Sequence, residues 1–67
     1  MSREQCRAGR SLIGWTQAQL AAAAKISIGT ARNFEQGANA LPSTIAAMRE
    51  ALEAKGVRFI DKGIMQK

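Results

Sequence analysis

Two helix-starting signals in quick succession constrain this chain more than any other feature. Thr16 and Ser27 each stand directly ahead of a helix-compatible run within TQAQLAAAAKISIGTARNFEQG, the segment from Thr16 to Gly37. Thr16 and Gln19 have the spacing of a capping box, in which the threonine hydroxyl accepts the Gln19 amide proton and the glutamine side chain accepts from the Thr16 amide. Trp15, just before the cap, is set to staple against Leu20. The pattern predicts a helix from Gln17 to Ala24, whose alanines permit close packing, and a break at Lys25 and Ile26. A second helix is then expected from Ile28 to Gln36, capped by Ser27 and stopped by Gly37 as a left-handed residue. Two short capped helices joined by a tight turn are a helix-turn-helix pattern.

The flanks read as further helix. Ser2 can cap a first helix with Cys6, Gly9, Leu12 and Ile13 on one face, ended by Gly14. Asn39 to Pro42 reads as a loop, because the residue before proline is pushed out of helical space. Ser43 is then expected to cap a fourth helix from Thr44 to Lys55. Ile45, Met48 and Ala51 or Leu52 would face inward, Arg49 and Glu53 would pair outside, and Gly56 would end it. Val57 to Ile60 alternates and is rich in strand formers; Asp61-Lys62-Gly63 is turn chemistry leading into Ile64 and Met65, so a short strand is expected and a hairpin is open.

A chain of 67 residues makes one domain and buries too little surface to be stable without close packing or help. The usual supplements are disulfides, a metal or a partner subunit. Cys6 is the only cysteine and there is no histidine, which excludes an internal disulfide and disfavours a zinc site. Cys6 is expected to be a small buried hydrophobe, and Met48 and Phe59 core residues. The stability must come from helix packing, oligomerisation or both. No run is long and apolar enough to span a membrane and no signal peptide opens the chain, so a cytoplasmic protein is expected.

Ten basic residues against five acidic ones leave a net charge of +5, and the isoelectric point is near 10.4. The resulting positive field favours an anionic partner, although it could serve solubility alone. There is no histidine, no carboxylate pair and no phosphate-cradling glycine loop, which argues against an enzyme; no catalytic residue, cofactor, metal or small-molecule ligand is expected.

The segment resembles the Cro/C1 type, or XRE family, of phage repressors and bacterial regulators. The resemblance rests on Arg10, Leu12-Ile13-Gly14-Trp15, Thr16-Gln17, Leu20-Ala21, Ile26-Ser27, Phe34-Glu35, Gly37 and Pro42, and covers roughly Cys6 to Phe59. It implies an all-α fold, a small four-helix lambda-repressor-like domain, here with a short C-terminal β-strand. It also implies that the third helix enters the DNA major groove while the start of the second touches the phosphate backbone. The resemblance further implies a structural ion pair between Arg10 and Glu35; the plain alternative is a solvated pair contributing little. Glycine is common in the family where this chain has Lys25, so Lys25 must adopt or avoid a left-handed conformation.

On the third helix, Ala31 and Phe34 share a face with Ile26 and should bury, leaving Ile28, Gly29, Arg32 and Asn33 outward as candidate base readers. Asn33 can bond an adenine, Arg32 a guanine or a phosphate, and Ile28 can touch a thymine methyl. Gly29 reads nothing itself, so it marks either a close backbone approach to the groove or a tolerated small residue. Backbone contacts are expected from Thr16 and Gln17 at a helix N-terminus, with Ser27, Gln36, Asn39 and Ser43 as neutral donors; Thr16, Ser27 and Ser43 could equally be caps alone. Val57, Arg58, Phe59 and Ile60 form a candidate dimerisation strand, with a strand packed on its own domain as the alternative. The expected function is therefore sequence-specific binding of a palindromic operator in double-stranded DNA by a homodimeric regulator. A protein-interaction module on the same fold, such as an antitoxin, adaptor or antiactivator, is the alternative.

Overall fold

The computed structural model describes residues 1–60 and 63–66. Four helices, α1 (Arg3–Leu12), α2 (Gln17–Ala24), α3 (Ile28–Glu35) and α4 (Pro42–Glu53), precede two strands, β1 (Val57–Ile60) and β2 (Gly63–Gln66). The mainly helical class expected from the sequence is what the chain adopts. The strands form an antiparallel hairpin with Phe59 opposite Ile64 and Ile60 opposite Gly63. Asp61 and Lys62, read as a turn, and Lys67 lie outside the described residues. No helix of the described residues is long and apolar enough to cross a membrane.

Local chemistry accounts for the helix starts. Ser2 and Thr16 each head a complete capping box, with Gln5 and Gln19 as the reciprocal partners, so four amides that a helix start would leave unpaired are satisfied. Ser27 caps α3 through the Thr30 amide at 3.1 Å. The start of α4 differs from expectation: Leu41 occupies the cap position, makes no side-chain cap bond, and is followed by Pro42 at the first helical position. Proline has its backbone angle preset there and needs no amide proton, so the helix begins two residues earlier than Thr44 and Ser43 is inside it. The helix also stops at Glu53 rather than Lys55, and α3 ends at Glu35 with Gln36 as its cap.

The first three helices end alike. Trp15, Ile26 and Ala38 donate backbone bonds to carbonyls five residues back, Arg10, Ala21 and Asn33, and Gly14, Lys25 and Gly37 donate to carbonyls three back. This is the Schellman arrangement, which needs a left-handed residue at its corner. Gly14 and Gly37 meet that need freely; Lys25 meets it at φ 60° and ψ 43°, the single non-glycine residue with positive φ among those described. The motif also turns Trp15 and Ile26 onto the core.

That core is Cys6, Leu20, Ala21, Ala24, Ala31, Phe34, Met48, Leu52 and Val57, all buried. Helix α2 packs on both α3 and α4, and Ala21, Ala24 and Ala31 keep side-chain bulk out of that contact. Gly9 does the same for α1: a Cβ there would lie 3.3 Å from Val57 Cγ1 and 3.5 Å from Leu52 Cδ1. Leu12, expected on the inner face of α1, is instead 42% exposed, because Cys6, Gly9 and Ile13 already mark the stripe that meets the core. Ile45 and Ala51 pack against the core from α4, and Phe59 does so from β1 under the Arg49 guanidinium, 5.4 Å from the ring centre.

Candidate nucleic-acid interface

Helix α3 is divided sharply. Ala31, Phe34 and Glu35 are buried against the other helices, whereas Ile28, Arg32 and Asn33 are exposed, Ile28 by 47%. Gly29 lies on the same outward side and is half-buried. A Cβ at Gly29 would meet only the Ser27 hydroxyl, at 4.0 Å, and its φ is not positive. Neither packing nor backbone conformation within the chain therefore asks for glycine at this position.

The proposed backbone donors separate into groups. The Thr16 and Ser27 hydroxyls are caps, Ser27 also sharing a hydrogen bond of 2.7 Å with Thr30, and both residues remain exposed. Gln36, Asn39 and Ser43 are exposed on the segment from the end of α3 into α4. Ser43 is not the cap of that helix, which removes the competing role considered for it. Gln17 is half-buried and its side-chain amide donates one hydrogen bond to Glu35 Oε1 at 3.2 Å; its backbone amide, at the first position of α2, is a helix-start donor.

Glu35 is the centre of a polar cluster at the foot of α3. Arg10 grips it with two bonds of 2.9 Å, Nε to Oε2 and Nη2 to Oε1, and also donates to the Trp15 carbonyl at 2.9 Å. The Cys6 thiol lies 3.5 Å from Oε2, and Arg7 Nη2 donates to the Glu35 backbone carbonyl at 2.7 Å. The Glu35 side chain is 2% exposed and that of Arg10 17%, so this is a buried ion pair and not a solvated one. Burial pushes the Glu35 carboxyl up, but the bonds from Arg10 and Gln17 and the Arg10 charge outweigh it and hold the carboxyl below its ordinary range. The same cluster acts on Cys6, whose pKa is raised to about 12 by burial first and by the Glu35 carboxylate second. No buried side-chain nitrogen or oxygen among the described residues lacks a partner.

Three of these partners were not legible from the motif. Sequence pattern alone gives Cys6 as a hydrophobe and Gln17 as a phosphate donor, and assigns no role to Arg7. The one available signal was the spacing of Arg3, Arg7 and Arg10 along a single face of α1.

On the candidate dimerisation strand, Val57 is buried and Phe59 half-buried against the chain's own core, while Arg58 and Ile60 are exposed, Ile60 by 45%. A groove beside this strand is lined by Glu53, Val57, Arg58 and Phe59. Successive strand residues point to opposite faces, so a cavity touching three in a row runs along the strand's edge. No group of three or more His, Cys, Asp or Glu among the described residues could hold a metal ion. Compared with protein-family models and with curated proteins, the chain matches none.

Proposed function

We propose that this chain is a Cro/C1-type (XRE) regulator that binds double-stranded DNA by inserting α3 into the major groove, and that it works in the cytoplasm as a homodimer on a palindromic operator. The observation that carries the reading is the two-sided character of α3: its inner face is committed to the core and the Glu35 cluster, while Ile28, Arg32 and Asn33 stand outward on a rigidly held helix. The net charge of +5 supplies the attraction for a polyanion, and Gln36, Asn39 and Ser43 supply neutral donors beside the helix. Binding, not catalysis, is the proposed activity.

The dimer is proposed to form along the edge of β1, where Arg58 and Ile60 are exposed beside the groove. Symmetric pairing of two such domains would present two α3 helices to one face of the duplex, at the separation of about 34 Å that a palindrome requires.

A salt titration tests the reading, comparing DNA from upstream of the protein's own coding sequence with a random duplex of equal length. Preference for its own DNA by about 1000-fold, weakening steeply with salt, is the expected result. Absence of retention even at low salt would refute it. Exposed Ile28 on α3 and Leu41 at the start of α4, the latter 70% exposed, favour one second reading: a protein-interaction module. A protein partner that survives high salt, together with no DNA binding at low salt, would select it.

A further inference from the structure

We propose that Arg7, flanked by Arg3, forms a phosphate contact on α1 that extends the DNA interface past the C-terminal end of α3. The inference rests on the DNA-binding reading above.

Arg3, Arg7 and Arg10 share one face of α1, and that face runs along the end of α3. Arg10 holds the Glu35 carboxylate, Arg7 holds the Glu35 backbone carbonyl, and the Arg3 guanidinium lies against Gly37, where a Cβ would collide with it. The three charges differ in what neutralises them. Arg10 is cancelled by buried Glu35, and Arg3 pairs at the surface with Glu4 at 2.9 Å. No described carboxylate lies within ion-pairing distance of exposed Arg7.

A helix C-terminus carries negative partial charge on its free carbonyls and repels a phosphate. Gln36 and Asn39, the neutral donors proposed for the DNA backbone, sit at just such an end. Arg7 places a full positive charge on the Glu35 carbonyl, so it reverses the sign of the field where those donors must approach an anion. One Arg7 N–H is used on that carbonyl, and guanidinium carries five. The side chain is thus ordered by folding, which lowers the entropy lost on binding, and keeps donors for a phosphate oxygen. A groove of about 300 Å³ between Arg3 and the segment after α3 is bordered by Phe34, Gly37, Asn39 and Ile45, so a second guanidinium and an amide line one cavity.

A phosphate contact is independent of sequence, so a random duplex suffices as the probe. In a salt titration, Arg7→Gln should reduce the steepness of log K against log salt by about 0.9, the value for one phosphate. Affinity for random and upstream DNA should fall by the same factor, and Arg7→Lys should restore the slope. An unchanged slope in folded Arg7→Gln overturns the inference alone, as does a loss confined to upstream DNA, which would mean that Arg7 only steadies α3. If the parent binds neither duplex at low salt, this inference and the DNA-binding reading both fall. Should Arg7→Gln not fold, Arg7→Met, which keeps the apolar stem and removes the charge, is expected to lower the slope by the same amount, and an unchanged slope there overturns the inference.

Discussion

Glu35→Gln isolates the charge of the buried cluster, because it preserves side-chain volume at a site only 2% exposed. The carboxylate accepts from four donor atoms on Arg10, Gln17 and Cys6, at 2.9, 2.9, 3.2 and 3.5 Å. A carboxamide keeps one acceptor oxygen and in either orientation turns an NH2 group toward Arg10, together with the Gln17 amide or the Cys6 thiol, which leaves donors facing donors and Arg10 uncompensated. Removing one partner of a well-buried pair costs about 3–5 kcal/mol. Arg10 retains its bond to the Trp15 carbonyl and is 17% exposed, so water reaches it and the expected loss lies at the low end, about 3 kcal/mol. A domain of this size has a total stability of roughly 3–10 kcal/mol. With an m-value near 1 kcal/mol/M for a small protein, the urea midpoint should fall by about 3 M, read by circular dichroism. A loss below about 0.5 kcal/mol would refute the reasoning, since that is the range of a solvated pair. The double variant Arg10→Met/Glu35→Leu should recover most of the loss, because no unpaired charge remains buried.

Because the Glu35 carboxyl is held below its ordinary value of 4.5, the native state binds fewer protons than the unfolded one: its stabilisation is full above that pH and lost as pH falls through the lower folded value, so Glu35→Gln should flatten the acid limb of stability against pH. Cys6 is shifted from an ordinary 9.0 to about 12, so its contribution is full below pH 9.0 and lost as pH rises toward 12; at neutral pH a thiol reagent should label Cys6 only at the rate of unfolding, and fast labelling of folded protein would contradict its burial. Lys25→Gly should raise stability by about 0.5–1 kcal/mol by removing the left-handed penalty, and a thermal midpoint below the parent's would count against it. Gly29→Ala should stabilise the fold by up to about 1 kcal/mol through helix propensity while weakening DNA binding if the α3 backbone approaches the groove; Asn33→Ala and Arg32→Ala should weaken binding with no change in fold, and full affinity in all three would remove the reading face from α3.

The sequence determined what depends on near neighbours. Helix starts at Ser2, Thr16 and Ser27, the turn around Lys25, the stop at Gly37 and the outward side of α3 follow from capping chemistry and helical spacing within a few residues. They were legible because each interaction closes locally. The miss at α4 has the same scale but a competing rule: Pro42 suits a first helical position as well as Ser43 suits a cap, and the structure uses proline. What only tertiary structure decided involves partners distant in sequence. That Glu35 gathers Cys6, Arg7, Arg10 and Gln17 depends on how α1 and α2 cross the end of α3. The close approach of α1 to Leu52 and Val57 at Gly9 depends on how the helices dock, and the pairing of Val57–Ile60 with Gly63–Gln66 on a register that alternation within one strand does not specify. Burial then sets the electrostatics: the same glutamate and arginine would contribute little at the surface, and enclosed between α1, α2 and α3 they fix α3 to the rest of the fold.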